Sequence, residues 1–262
     1  MNSYLQKILS VLFPRHCPVC GQLTDSASPQ LCPICAEQLQ KEHALPCPIC
    51  RKEAWECRCV PDALSAHNIR IICSRFYEAG NTRAVSSRLV YALKHRADDT
   101  AAHILAQSMA RDILREFLPT GEDIRTWTIT YAPRSSRGYE KNGFDQAQRL
   151  AKLCARYTGA RYERLFRRHG GVEQKQLNAL QRSDNAAASI RLRRPRQKCT
   201  GKYIVLDDIT TTGATLAECA ALLRAGNAEA VLAASAFRTL PRAKKQPAGQ
   251  ELWYARAEKY NQ

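Results

Sequence analysis

Lys202-Tyr203-Ile204-Val205-Leu206-Asp207-Asp208-Ile209-Thr210-Thr211-Thr212-Gly213-Ala214-Thr215-Leu216 is the stretch whose reading decides the fold. Its apolar run, Tyr203 to Leu206, predicts a buried strand with two acids at its end. Ala214 to Ala225 predicts a helix with Gly226 as its C-cap. A Thr-rich loop with one glycine joins them. Carboxylates only accept hydrogen bonds, which suits them to paired hydroxyls such as a ribose diol. Thr hydroxyls and free N–H groups at a helix N-terminus suit a phosphate dianion, and Gly213 lets the backbone approach it closely. Together these features describe one pocket for a sugar 5-phosphate at the carboxyl end of a strand, where open α/β sheets bind ligands. The plainer alternative is a helix cap preceded by two acids.

On either side of this stretch, strands and helices alternate. Strands are expected over 69–77, 127–132 and 230–237, with a weaker one over 161–166. Helices are expected over 83–94, 101–117 and 144–157. The helix over 101–117 carries its apolar stripe on Ile104, Leu105, Met109, Ile113 and Leu114. This order predicts an α/β fold, a parallel sheet covered by helices on both faces. Arg191 to Lys202 is strongly basic, contains Pro195, and reads as a turn or ribbon leading into the strand at Tyr203.

Eight of the twelve cysteines fall between Cys17 and Cys59. Cys17-x2-Cys20, Cys32-x2-Cys35 and Cys47-x2-Cys50 are knuckles, and Cys57-x-Cys59 completes a second set of four. Two-residue spacing lets both thiolates of a knuckle reach one tetrahedral zinc. The simplest pairing puts Cys17, Cys20, Cys32 and Cys35 on one ion and Cys47, Cys50, Cys57 and Cys59 on another; interleaved pairing is also open. Four disulfides compete with zinc, but a reducing cytosol is the expected compartment. Cys73, Cys154, Cys199 and Cys219 are expected to be buried residues, and His16 and His43 surface residues. The division expected is a cysteine-rich module over residues 1–61 and the α/β domain over residues 62–262.

Forty Lys plus Arg against 24 acids gives a formal charge of +16. That surplus favours polyanions, either nucleic acid or phosphorylated ligands. No apolar run reaches the ~20 residues a membrane span needs. Leu5, Ile8, Leu9 and Leu12 predict an amphipathic helix rather than a signal peptide, since no small-residue cleavage site follows. A cytoplasmic protein is expected.

The segment around Asp207 resembles the phosphoribosyl pyrophosphate motif of type I phosphoribosyltransferases: hydrophobic strand, two acids, hydrophobic residues, then Thr-Thr-Gly-Ala-Thr. The resemblance implies that Asp207 and Asp208 contact the ribose 2- and 3-hydroxyls. It also implies that Thr211, Thr212, Gly213, Ala214 and Thr215 wrap the 5-phosphate, and that Mg²⁺ comes with the donor. Thr210 stands where that family has an aliphatic residue, a departure expected to alter loop packing rather than ligand contact.

Joined to the cysteine module, the motif resembles the ComF family (ComFC and GntX-like proteins) over nearly the whole chain. Tyr131-Ala132-Pro133-Arg134-Ser135 looks like that family's strand-end segment near the pyrophosphate, and Leu93-Lys94-His95-Arg96 like its Leu-Lys-basic segment. Gly143-Phe144-Asp145-Gln146-Ala147 is similar to its Arg-Gly-Phe-Asn-Gln-Ala element, with Asn142 and Asp145 replacing Arg and Asn. Arg137 and Lys141 lie close by in sequence. Gln174, Leu177, Arg182 and Asn185 fit its spacing ahead of the phosphate motif.

The resemblance implies a phosphoribosyltransferase-like fold tied to natural competence and the uptake of single-stranded DNA. Arg134 and Lys94 are the expected stabilisers of the leaving pyrophosphate; no histidine or glutamate stands in a matching motif as general base. Three functions are open at this point. One is phosphoribosyl transfer to an unknown acceptor. A second is a single-stranded-DNA-binding module using the basic segment Arg191, Arg193, Arg194, Arg196, Lys198 and Lys202, with few aromatic platforms because Trp55, Trp127 and Trp253 are scattered. The third is a regulator that binds the donor without turning it over.

Overall fold

The computed structural model describes residues 15–24, 30–43, 45–78, 80–134, 145–168, 189–195 and 198–239. The expected helix at Leu5 to Leu12, the Arg137 to Phe144 stretch, Gln174 to Asn185, Arg196, Trp253 and the His43 side chain lie outside the described residues.

The first knuckle sits in a hairpin of β1 (Arg15–His16) and β2 (Leu23–Thr24), and Cys32 and Cys35 open α1 (Pro33–His43). After the second cysteine set comes a short helix, α2 (Asp62–Ala66). Then follow β3 (Ile71–Tyr77), α3 (Val85–His95), α4 (Asp99–Phe117), β4 (Trp127–Tyr131), α5 (Gln146–Thr158) and β5 (Arg161–Tyr162). β6 (Phe166–Arg168) and β7 (Ile190–Leu192) form an antiparallel ribbon that takes in only Arg191 and Leu192 of the basic segment expected as a turn or ribbon. β8 (Lys202–Thr210), α6 (Ala214–Ala225) and β9 (Ala230–Thr239) complete the order.

Five strands form one parallel sheet in the order β3-β9-β8-β4-β5. Side chains alternate between its faces. Ile204 and Leu206 of β8 enter the core shared with α3, α4 and α5. Tyr203 and Val205 enter the core shared with α2, α6 and the ribbon. Each fully buried Leu or Ile in these layers contributes about 1.5–3 kcal/mol, and the helix-covered sheet is the α/β architecture that the alternating pattern predicts.

β8 does not stop at its apolar run. β9 continues to Thr239 and offers ladder partners beyond it, pairing Asp207 with Ser235, Ile209 with Phe237 and Thr210 with Arg238. Thr210 is therefore a strand residue, 2% exposed, whose Oγ1 is buried without a partner. At the end of α6, Gly226 caps with φ −87, and Asn227 makes the left-handed turn at φ 70. The expected strand over 161–166 divides: Arg161 and Tyr162 form the sheet edge, and Phe166 opens the ribbon.

The first cysteine set belongs to the main core. Cys17, Cys32, Cys35, Val19 and Leu39 cluster with Leu89, Val90 and Leu93 of α3. Glu42 of α1 caps α3, its two carboxylate oxygens accepting from the N–H groups of Val85 (2.6 Å) and Ser86 (2.9 Å). Arg96, just after α3, donates to the Pro18 carbonyl. The second set packs with Cys73 and Phe76 of β3, and Arg238 of β9 donates to the Cys59 carbonyl. No helix among the described residues is long and apolar enough to cross a membrane.

Because Glu42 satisfies two N–H groups at a partly buried helix start, Glu42→Ala is expected to destabilise the fold by about 1–3 kcal/mol, read by urea denaturation, with Glu42→Gln recovering part of the loss.

Candidate functional site

β4 and β8 are neighbours whose helical connections leave in opposite directions. α5 follows β4 on one face, and α6 follows β8 on the other. Such a divergence opens a crevice at the carboxyl ends of the two strands, where open α/β sheets bind ligands. A cavity of about 100 Å³ lies there. Pro133 and Arg134 reach it from the end of β4, Asp145 and Gln146 from the start of α5, and Asp207, Asp208 and Thr215 from β8 and α6.

The carboxylates are held by their own backbone. Asp207 Oδ1 accepts from the Asp208 N–H and Asp208 Oδ1 from the Ile209 N–H, each at 2.8 Å. Lys94 Nζ lies 3.1 Å from Asp208 Oδ2. Burial, and then the neighbouring charge of Asp208, push the Asp207 carboxyl well above the usual carboxylate range. Lys94 is set in place by Gln146, which is 1% exposed and donates through Nε2 to the Lys94 carbonyl at 3.2 Å.

Asp145 is the N-cap of α5. Its Oδ1 accepts from the Gln148 N–H and its Oδ2 from the Arg134 N–H, both at 3.2 Å. The bond to the Arg134 N–H uses a second acceptor oxygen, which the Asn of the ComF-like pattern lacks. Arg134 Nη1 is buried with no partner.

The Thr loop is mixed in character. Thr211 and Thr212 are exposed, and Thr212 Oγ1 accepts from the Ala214 N–H at 3.4 Å. Gly213 is left-handed at φ +79, and a Cβ there would meet Leu64 Cγ at 2.9 Å and Pro61 Cβ at 3.4 Å. Its backbone thus presses on α2 and on the chain leaving the second cysteine set.

Arg168 of β6 also lines the cavity, a residue the sequence reading passed over. Burial works against its charge, and the neighbouring Cys219 and Asp207 oppose this when they are ionised. Its Nε donates to Ser189 Oγ at 2.9 Å. The only available signal was its place among Arg164, Arg167 and Arg168, which does not say which arginine turns inward.

The cysteines gather in two groups, Cys17, Cys20, Cys32 and Cys35, and Cys47, Cys50, Cys57 and Cys59; within each the ligand atoms lie within 4.8 Å of one another. This is the uninterleaved pairing. All twelve cysteines are free. The sulfurs of Cys20 and Cys32, like those of Cys50 and Cys57, stand 3.6 Å apart. Zn–S bonds of about 2.3 Å at tetrahedral angles require roughly 3.8 Å between sulfurs, so both groups could hold zinc.

Crowding divides the thiols. Burial opposes the Cys17 thiolate, but hydrogen bonds from the backbone of Cys32, Cys20 and Val19 outweigh it and bring its pKa to about 7. Burial pushes Cys59 up to about 11. A bound dication would relieve this conflict. Cys73 is buried against the second group without belonging to it, Cys154, Cys199 and Cys219 are buried outside both groups, and His16 is exposed.

No family model matches the chain. It is 30% identical over 156 residues to the DNA utilization protein YhgH of Salmonella typhimurium, across 59% of this chain and 67% of that one. The YhgH protein of Escherichia coli is 30% identical over 157 residues, with the same shares covered. The chain belongs to the YhgH family.

Solved structures similar to this YhgH-family chain include a hypoxanthine phosphoribosyltransferase of Staphylococcus aureus, at TM-score 0.32 and 10% identity over 53% of this chain and 75% of that one. An adenine phosphoribosyltransferase of Leishmania tarentolae gives TM-score 0.28 and 14% identity over 50% and 70%. At these scores the fold assignment rests on the strand order and crossovers of the sheet itself.

With two separate groups of four thiols, the protein purified under reducing conditions is expected to carry two zinc ions per chain by atomic emission, and Cys32→Ser and Cys57→Ser about one each. Loss of both ions from either variant would disprove independent sites.

Proposed function

We propose that the chain binds phosphoribosyl pyrophosphate at the carboxyl end of β8. One observation carries this reading. The acid pair stands at the β4–β8 divergence with Lys94 bound to Asp208, beside an Arg134 guanidinium nitrogen that is buried and unpartnered on the same cavity. A buried cationic donor without a partner costs free energy that an arriving anion returns.

In this reading Asp207 and Asp208 accept from the ribose 2- and 3-hydroxyls. Thr211, Thr212 and the backbone from Gly213 through Ala214 to Thr215 hold the 5-phosphate. Mg²⁺, where it accompanies the donor, would supply positive charge for the pyrophosphate oxygens. Lys94 and Arg134 face the pyrophosphate, and Arg168 adds a third cation near Asp207.

Transfer would break the C1–oxygen bond, its electron pair leaving with pyrophosphate and being stabilised by Lys94 and Arg134. The lone pair of an acceptor nitrogen closes the new bond to C1. Both Asp145 oxygens serve backbone N–H groups, so Asp145 is not placed as a general base and the acceptor's proton passes to water. The relatives' name, DNA utilization protein, supports a setting in DNA metabolism, in line with the competence link that the ComF-like resemblance implies.

A second reading, single-stranded DNA binding with a non-catalytic phosphate pocket, is favoured by the exposed Arg191, Arg193, Arg194 and Lys198 around the ribbon. Lys202 does not join that surface, being paired with Glu122.

Calorimetric titration of the zinc-loaded protein with phosphoribosyl pyrophosphate and Mg²⁺ tests the first reading. Asp207→Asn with Asp208→Asn should weaken binding at least about a hundredfold, since two charge-assisted hydrogen-bonding groups are lost; unchanged affinity would sink the assignment.

Asp207 is an acid with a raised folded pKa. Donor binding should therefore weaken as pH falls through that value. Fold stability runs the other way, present while the proton is bound and lost as pH rises through the raised pKa. Asp207→Asn alone should accordingly raise Tm at neutral pH, by about 2–4 °C for each kcal/mol of strain relieved.

A further inference from the structure

A second and larger cavity, about 460 Å³, lies between the first cysteine knuckle and α3. Lys94 belongs to its wall, so the Lys94–Asp208 pair separates it from the pocket at β8. Among the described residues three cations line it, Arg88, Lys94 and Arg96, and none of the lining residues is acidic. Arg88 and Arg96 are exposed.

Tyr91 is 59% exposed and stacks on His95, with ring centroids 4.6 Å apart and planes at 29°. Both rings line the cavity, as does Ser87, whose Oγ is buried without a partner. Stacking within a helix explains the contact between the rings, but not their placement on a cavity wall among cations.

A flat aromatic platform offers one face to a base. Flanking guanidinium groups suit phosphates, and an unsatisfied hydroxyl suits a base edge. Duplex DNA hides its base faces, so the chemistry selects an unpaired strand. We propose that this cavity binds one nucleotide of a single-stranded nucleic acid, its base stacked on the Tyr91–His95 pair and its flanking phosphates on Arg88 and Arg96. The site does not depend on donor binding at Asp207 and Asp208. Because Arg96 also holds the Pro18 carbonyl, the first cysteine set fixes one wall of the site.

The test is fluorescence anisotropy of the zinc-loaded full chain with a labelled oligothymidylate of about twelve nucleotides, at several salt concentrations. Tyr91→Ala with His95→Ala should weaken binding about tenfold. Arg88→Ala should lower the slope of log affinity against log salt by about 0.7. Tyr91, Arg88 and His95 are exposed, so thermal melts should show both variants folded. In the same variants, calorimetry should find affinity for phosphoribosyl pyrophosphate within about twofold of the parent, while Asp207→Asn with Asp208→Asn retains the oligonucleotide. Failure of one site is thereby read separately from failure of the other. Unchanged oligonucleotide affinity in the Tyr91 and His95 double variant overturns the site. Equal affinity for a duplex of the same length, or for thymidine monophosphate alone, overturns the single-strand assignment.

Discussion

Two carboxylates stand on consecutive residues at the partly desolvated end of a central strand, and burial with the neighbouring charge makes Asp207 resist ionisation. Much of the surrounding structure answers that charge. Lys94 comes from the last turn of α3, Arg134 from the end of β4 and Arg168 from the ribbon. Elements distant in sequence thus converge on one small volume because each carries a cation to it. Gln146 and Asp145 then fix where two of those cations stand, one through the Lys94 carbonyl and the other through the Arg134 N–H. The remaining imbalance is still visible in Asp207, whose carboxyl holds its proton beyond the usual range. A site arranged in this way is less stable than an apolar equivalent, and a ligand with its own cation relieves the conflict.

The parallel sheet was readable because its signals are local. The apolar run of β8, the stripe of α4 and the alternation of types each lie within a short window. So was the position of the acid pair and Thr loop, since both sit at one strand-to-helix junction. What the sequence could not display was anything fixed by a distant partner. β8 continues through its acids because β9 reaches alongside, and α3 starts at Val85 because Glu42 of α1 caps it. Arg168 enters the cavity because the ribbon pairs Arg168 with Ile190, information that composition does not contain.

The cysteine sets show the same division. Their spacing gave the groups, and tertiary structure chose the pairing and the surroundings. Each first knuckle turns through the same backbone shape, with Cys17 N–H bonded to Gln22 and Cys47 N–H to Lys52. The left-handed residue is Gly21 in one and Arg51 in the other, so a search for glycine would find only half of the repeat. Neither set stands apart from the sheet: one shares its core with α3 and the other with β3.

The contact between Gly213 and Leu64 changes what the motif's glycine can testify to. Gly213 is left-handed and has no room for a side chain against α2, so folding alone demands glycine there, whether or not a phosphate ever binds. Selection for a packed structure would preserve it in a descendant that had lost its ligand. Thr211 is exposed, and Arg134 keeps a buried nitrogen without a partner; packing gives little reason for either, whereas Thr212 also serves the Ala214 N–H. A glycine at this position therefore does not testify to a bound phosphate, and the residues that would do so are those, like Thr211 and Arg134, that packing leaves unexplained.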